Sequence, residues 1–129
     1  MLPPRLEEEL PALRERFNID VHEDPNFVYL VVHDFPVREA LYNRTTTTLL
    51  IQVPRPYPDA GLDMFWTEPE LALKSGSAPQ AAEVMENHLG RQWRRFSWHP
   101  QFGGGGRWDP NVHNLDMYLA FISKRFESP

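Results

Sequence analysis

His99, Asp109 and His113 are the side chains whose types and spacing best suit acid–base or acyl-transfer chemistry, and they flank four consecutive glycines, Gly103 to Gly106. An imidazole titrates near neutral pH, so a histidine here could carry an acyl group or form a hydrolytic dyad with a carboxylate. The alternative is structural: His99 holds the glycine loop by hydrogen bonds, and His113 is a surface or helix-capping residue. We favour the structural interpretation and keep the catalytic one open.

The sequence gives little support for a metal site, a thiol site or a phosphate-binding site. The two histidines and Asp109 could bind a metal ion, but their spacing lacks the compact i, i+4 arrangement of helical zinc sites. The chain contains no cysteine, which excludes disulfides, thiolate metal sites and a cysteine nucleophile. The sequence also has no phosphate-binding loop, Ser-His-Asp pattern or kinase motif. We therefore expect no metal and no cofactor.

A basic and aromatic segment begins before the glycines and continues after them. Its members are Arg91, Trp93, Arg94, Arg95, Phe96, Trp98, Arg107 and Trp108. Such a segment can bind nucleic acid, but the formal charge of −5 and the pI near 5.5 argue against general nucleic-acid binding. We expect a partly buried protein-contact or core-edge segment in which arginines stack on aromatic rings.

The composition is that of an ordinary globular protein. With 129 residues, 41% of them hydrophobic and 24% charged, the chain is long enough for one hydrophobic core, and we expect a single domain over residues 1–129. No apolar run approaches the roughly 18 residues that span a bilayer. The N-terminus lacks the basic start and apolar stretch of a secretory signal, so we expect a cytoplasmic protein without membrane contact.

A helix is predicted at the beginning of the chain, where one apolar stripe contains Leu6, Leu10, Leu13 and Phe17. Pro11 should either kink this helix or lie near its first residue, because proline cannot donate a backbone hydrogen bond. Glu7 to Glu9 are expected to form a solvated face near the positive end of the helix dipole.

Four strands are predicted next, over residues 19–21, 27–32, 45–53 and 62–66. In the third strand, alternate positions place Leu49, Ile51 and Val53 on one face. The prolines that surround Tyr57 cannot join the interior of a sheet, so they should form a turn between the third and fourth strands. The strands together should make an antiparallel meander.

The remainder of the chain contains one weak and one clear helical pattern. A short helix is possible over residues 79–88. A C-terminal helix is predicted from the i, i+3, i+4, i+7 and i+11 spacing of Leu115, Tyr118, Leu119, Ile122 and Phe126, with Asn111 or Asn114 as its cap. An N-terminal helix, a four-stranded antiparallel meander and a C-terminal helix define an α+β fold.

Three motifs, in order along the chain, resemble those of ubiquitin-conjugating enzymes. The stretch Pro54-Arg55-Pro56-Tyr57-Pro58 is similar to the Pro-x-x-Tyr-Pro turn that leads into the fourth strand of that family. Trp98-His99-Pro100-Gln101 resembles its His-Pro-Asn motif. Trp108-Asp109-Pro110 resembles its Trp-Ser-Pro entry to the helix after the active site. The resemblance implies a ubiquitin-conjugating-like fold.

The sequence is more similar to a prokaryotic branch of this superfamily, family E, which lies in bacterial gene clusters beside ubiquitin-like proteins. The similarity covers residues 5–126 and includes Asp34-Phe35-Pro36, Pro58-Asp59-Ala60, Asp63-Met64-Phe65-Trp66, Gly90-Arg91-Gln92-Trp93 and residues 108–126. It implies a place in a bacterial ubiquitin-like pathway, together with a β-grasp modifier, an activating-enzyme homologue and a deubiquitinase-type metalloprotease.

The resemblance also indicates where along the chain the catalytic cysteine of the active relatives is missing. Active relatives carry a cysteine shortly after His-Pro-Asn, which accepts the modifier as a thioester. One alignment puts Asp109 at that position; the other, which we prefer, deletes the cysteine loop and leaves Gly103 to Gly106 as its remnant. Gln101 replaces the asparagine whose amide helps to stabilise the oxyanion. The pseudo-active site implied in this way contains Tyr57, Trp93, His99, Gln101, Gly103, Gly106, Trp108 and Asp109.

Three functions are compatible with this pattern. The first is non-catalytic binding of a ubiquitin-like β-grasp protein or another pathway partner, such as an activating-enzyme homologue docked on the first helix. The second is an unconventional conjugating enzyme that uses His99, His113 or Asp109 in place of cysteine. The third is an RWD-type protein-interaction scaffold, with which the Trp-rich C-terminal half agrees less well.

Overall fold

The computed structural model describes residues 1–99 and 108–129, and these residues form an α+β arrangement of two helices and one six-stranded antiparallel sheet. The elements are α1 (Pro4–Arg14), β1 (Asn18–Glu23), β2 (Phe27–Pro36), β3 (Thr46–Pro54), β4 (Phe65–Thr67), β5 (Met85–His88), β6 (Arg91–Phe96) and α2 (Leu115–Phe126). The strand order across the sheet is β1-β2-β3-β4-β6-β5. The predicted α+β class is confirmed.

Helix α1 begins at Pro4 and continues through Pro11, so the helix does not start near Pro11. The Pro11 ring is exposed. Pro11 has no N–H to donate to the carbonyl of Glu7, four residues earlier in the helix. Glu7 is also exposed, so water can bind this carbonyl instead. The predicted stripe is buried at Leu6, Leu10 and Leu13. Phe17 lies beyond the last helical residue and is only partly buried.

Strands β1 to β4 form the predicted meander, in which each strand pairs with the next in antiparallel register. On β3, Leu49, Ile51 and Val53 are buried in the main hydrophobic core, which also contains the apolar faces of α1 and α2. Leu50 points to the other face of the sheet, where it packs with Trp66 and Trp93 in a second cluster. The shared face predicted for β3 is therefore confirmed.

The sheet has six strands instead of the predicted four, because residues 85–96 form a hairpin. Strand β6 pairs with β4 through Phe65 and Phe96, and β5 pairs with β6. The short helix predicted over residues 79–88 is therefore wrong: the last four of those residues are the strand β5.

The turn of this hairpin explains why the sequence pattern did not reveal it. Leu89 and Gly90 connect the last pair of the ladder, and both have positive φ angles, of 54° and 76°. Two-residue hairpin turns of this kind are usually marked by Asn-Gly or Asp-Gly. Leucine gives no such signal, and the charged residues Glu86, Arg91 and Arg95 obscure the apolar alternation of the two strands.

The basic and aromatic segment is for the most part strand β6. The Arg91 guanidinium lies 4.3 Å from the centre of the Trp93 ring, which is 1% exposed. Arg94 is buried and donates hydrogen bonds to the carbonyls of Ala82 and Pro69. Strand β6 therefore lies next to the edge of the sheet, with the arginine–aromatic stacking that the sequence predicts, whereas Arg107 lies outside the described residues.

Helix α2 is capped by Asn114, whose side chain accepts a hydrogen bond from the Met117 amide at 2.8 Å. The predicted face is buried at every position, namely Leu115, Tyr118, Leu119, Ile122 and Phe126. In residues 1–99 and 108–129, no helix combines the length and the apolar character needed to cross a bilayer.

Candidate functional site

Trp108 docks on the proline-rich turn between β3 and β4. Its indole Nε1 donates to the carbonyl of Pro58 at 2.7 Å, and its ring lies 5.8 Å from that of Tyr57. A Cβ atom on Gly61 would lie less than 3.0 Å from three atoms of Trp108, so the absence of a side chain at Gly61 permits the close packing. Two residues of the predicted pseudo-active site, Tyr57 and Trp108, are thus in contact.

Tyr57 connects this turn to helix α1. It is 3% exposed, and its hydroxyl donates to the Glu9 carboxylate, 2.9 Å from each oxygen. Burial, together with the negative charge of Glu9 and the hydrogen bond to it, raises the pKa of Tyr57 far above its usual value. Tyr57 is therefore held as a neutral donor, and its phenol is not available as a base at physiological pH.

Glu9 is the centre of a network between α1 and the beginning of α2. Besides Tyr57, the Glu9 carboxylate accepts the backbone N–H of Leu115 at 2.8 Å and pairs with Arg5 Nε at 3.1 Å. Only 17% of its side chain is exposed. The prediction of a solvated glutamate face is therefore wrong at Glu9. The i, i+4 spacing of Arg5 and Glu9 could have suggested their pairing, but not the contacts made across the fold.

Arg5 holds the turn that precedes α2. Its guanidinium donates to the carbonyl of Pro110 at 2.6 Å and to that of His113 at 2.8 Å. Sequence reasoning did not identify this role either, because the residues involved are separated by more than a hundred positions. Helix α1 thus fixes both the turn and the first residue of α2.

Asp109 and His113 are brought together within that same turn. The His113 amide donates to the Asp109 carbonyl at 2.8 Å, and the Asp109 amide donates to His113 Nδ1 at 2.8 Å. His113 is 8% exposed. Because Nδ1 accepts, the hydrogen-bond network assigns the ring hydrogen to Nε2. The Asp109 carboxylate accepts the Asn111 amide at 2.9 Å. Both side chains therefore hold the turn.

His99 has a different environment. Its Nδ1 lies 2.6 Å from a carboxylate oxygen of Asp63, and the two side chains are 68% and 53% exposed. A carboxylate on Nδ1 orients the ring and leaves Nε2 as the acceptor nitrogen, the arrangement found in general-base histidines. The sequence analysis named Asp63 only as part of the Asp63-Met64-Phe65-Trp66 motif and did not predict its contact with His99.

The remaining predicted site residues do not join these groups. Trp93 belongs to the hydrophobic cluster on the other face of the sheet from Tyr57, and its Nε1 donates to the His88 carbonyl. Gln101, Gly103 and Gly106 lie outside the described residues. Within the described ranges, no group of three or more histidine, cysteine, aspartate or glutamate side chains is placed to hold a metal ion.

The chemistry available to these groups differs between the two histidines. His113 is buried and uses one ring nitrogen to hold the backbone, so it cannot reach a large substrate without opening the turn. His99 is accessible and oriented by Asp63, so it can accept a proton or, through Nε2, an acyl group.

Comparison with known proteins gives one match. The model of a protein family described as prokaryotic E2 family E matches residues 7–128. No curated protein and no solved structure matches the chain significantly.

Proposed function

Because the chain belongs to the prokaryotic E2 family E, we propose that it is a non-catalytic, ubiquitin-conjugating-like protein that binds a β-grasp modifier or a partner in the same bacterial pathway. The observation that carries the proposal is the absence of cysteine from all 129 residues. Without a thiol there is no thioester, the intermediate by which conjugating enzymes carry their modifier.

The contacts around the pseudo-active site support a binding role. Trp108 is bonded to the turn that contains Tyr57, and Asp109 and His113 close the turn before α2. A degenerating active site would not need so many specific contacts. Side chains that position backbone, and do not face a substrate, are typical of a scaffold that presents a fixed surface.

Isothermal titration calorimetry of the purified protein with the cognate β-grasp protein tests the proposal. We expect a saturable heat and a complex that co-elutes in gel filtration. A parallel titration with the activating-enzyme homologue distinguishes the two kinds of partner. No detectable heat or complex with either protein would contradict a binding function.

The His99–Asp63 pair supports a second candidate function, an unconventional conjugating enzyme. In this case the acyl group of the modifier would pass from its activated form on the activating enzyme to a side chain of this protein, releasing the AMP or thiol to which it was bound, and His99, Asp109 and His113 are the candidates. Of these, His99 is exposed and has its ring oriented by a carboxylate.

Incubation with the activating enzyme, the modifier and ATP tests this second function. The enzyme hypothesis predicts an adduct that survives thiol reductant and is lost in His99→Ala. His22→Ala is the matched control, since His22 is also exposed but lies on β1. If no adduct forms, or if both variants lose it equally, transfer through His99 is refuted.

An RWD-type scaffold remains the third candidate, and it differs from the first mainly in its partner. Such scaffolds are eukaryotic, whereas the matching family is described as prokaryotic. Family membership therefore supports the modifier pathway over a general interaction scaffold.

A further inference from the structure

A surface groove lies between the end of β6 and the C-terminal turn of α2. It has a volume of about 310 Å³ and is lined by Trp98, His99, Phe121, Lys124, Arg125 and Ser128. A second depression of about 330 Å³ adjoins it and shares three of these lining residues, Trp98, Arg125 and Ser128. The shared residues make the two depressions contiguous, as the binding of an extended segment requires.

The lining is basic in a protein whose net charge is −5. His99, Lys124 and Arg125 contribute basic groups, and neither depression is lined by a carboxylate side chain. Because the groove residue His99 is paired with the Asp63 carboxylate, the net positive charge of the lining comes from Lys124 and Arg125. In an acidic chain, a groove of this composition attracts negative charge.

Arg125 is held in place without a carboxylate. Its guanidinium donates to the carbonyls of Ser128 and Gln80, at 3.0 and 2.7 Å, and lies 5.4 Å from the centre of the Phe96 ring. Among the ion pairs between described residues, none involves Arg125 or Lys124. The groove therefore presents two cations, Arg125 held by backbone carbonyls and Lys124 exposed, whose charges are not neutralised by a carboxylate in the described part of the chain.

We propose that this groove binds an extended acidic segment of a partner protein through its aspartate or glutamate side chains. The two cations in the lining, Lys124 and Arg125, suit a segment that carries more than one carboxylate. The partly buried rings of Trp98 and Phe121 provide apolar surface for the backbone and aliphatic parts of the segment. The identity of the partner rests on the proposed function, but the chemistry of the groove does not.

The test uses fluorescence anisotropy with two labelled eight-residue peptides. One alternates glutamate with leucine, and the other has glutamine in place of each glutamate. We expect the wild-type protein to bind the glutamate peptide at low salt and the glutamine peptide at least about fivefold more weakly. A labelled single-stranded oligonucleotide is the third probe; tighter binding of the oligonucleotide than of the glutamate peptide would overturn the inference.

The two lysines of the chain provide a matched pair of variants. Lys124→Glu should weaken binding of the glutamate peptide by about fivefold to tenfold, since it replaces an attractive charge with a repulsive one. Lys74→Glu makes the same change at an exposed residue that does not line the groove, and should leave the affinity unchanged. Both sites are exposed, so thermal melting should show both variants to be folded. Equal losses in the two variants would overturn the inference.

Titration of the β-grasp modifier into both lysine variants separates this inference from the proposed function. If the modifier binds wild type and Lys124→Glu equally, the groove is not its contact and the proposed function stands; the inference then fails if the glutamate peptide also binds the two proteins equally. If the modifier does not bind but the glutamate peptide binds selectively, the groove is supported and the modifier is excluded as the partner.

Discussion

Gly61 shows how one position without a side chain determines the packing of the candidate site. The Trp108 indole occupies the space that a Cβ atom on Gly61 would need. Gly61→Ala should therefore force the indole or the turn to move and destabilise the protein by about 1–3 kcal/mol, the usual effect of overpacking. Urea denaturation measures this change.

A double-mutant cycle identifies the cause of that loss. Trp108→Gly removes both the indole and the Cβ atom that would lie 2.6 Å from a Cβ on Gly61, so in that background Gly61→Ala has nothing at position 108 to displace and should cost much less. The coupling energy between the two substitutions is therefore expected to be large. Independent, additive effects would mean that the contact between Gly61 and Trp108 does not control stability.

The Glu9 carboxylate is the second position that joins distant parts of the chain. Glu9→Gln removes the charge that accepts from Tyr57, Leu115 and Arg5. We expect a loss of about 1.5–3 kcal/mol in the free energy of unfolding, as for hydrogen bonds to charged groups. Glu8→Gln, at the exposed neighbouring position, is the control and should change it by less than about 0.5 kcal/mol. Similar losses in the two variants would contradict this role.

At the scale of elements, the turn between β5 and β6 contains a locally unfavourable residue. Leu89 has a φ of 54° and is 41% exposed. Leucine is disfavoured in the left-handed region, whereas asparagine tolerates it and is common in such turns. Leu89→Asn should therefore raise the free energy of unfolding by about 0.5–1 kcal/mol, which a shift of the melting temperature would report.

Val84→Asn provides the control for that prediction. Val84 is 43% exposed, similar to Leu89, but it is not among the residues with positive φ. The substitution removes an apolar side chain of similar exposure at a position where the backbone is not in the left-handed region. A gain of stability in both variants would mean that lost apolar exposure, and not backbone geometry, is the cause.

Elements with a local apolar period were predictable, and those defined by a distant partner were not. The spacing of α2 residues correctly identified its buried face, and alternation in β3 identified its core face. By contrast, β6 pairs with the distant strand β4 as well as with the adjacent β5, and its arginines hide the alternation. The pairing with β4 is a tertiary contact, which propensity does not encode.

At the scale of the whole molecule, the candidate site likewise combines local motifs, which could be predicted, with contacts across the fold, which could not. The Tyr57 turn and the Trp108 segment were recognisable as motifs, and they do meet. The partners of Glu9 and Asp63 were not predictable, because the sequence around a carboxylate does not show which distant residue it will contact. Glu9 meets Leu115 across 106 positions, and Asp63 meets His99 across 36. Only the complete fold brings these residues together.

Acid sensitivity is a property of the whole molecule that follows from its carboxylates. A hydrogen bond with His33 lowers the pKa of Asp20, and the backbone amides of Phe27 and Asn26 lower that of Asp24. Burial alone would raise the pKa of Glu86, but hydrogen bonds from His88, Trp66 and Arg95 hold the pKa below its usual value of 4.5. The folded state therefore favours the charged form of each group.

These shifts predict how stability changes with pH. A carboxylate whose pKa is lower in the folded than in the unfolded state stabilises the protein above the unfolded pKa. That contribution is lost as pH falls through the folded pKa. Urea denaturation between about pH 7 and pH 3 should therefore show a free energy of unfolding that is level near neutrality and falls below about pH 4.5.

Glu86→Gln removes one titrating group, so its free energy of unfolding should be lower than that of wild type at pH 7 and should fall less steeply in acid. If the free energy of unfolding of Glu86→Gln falls as steeply in acid as that of wild type, Glu86 does not contribute to the acid sensitivity of the protein.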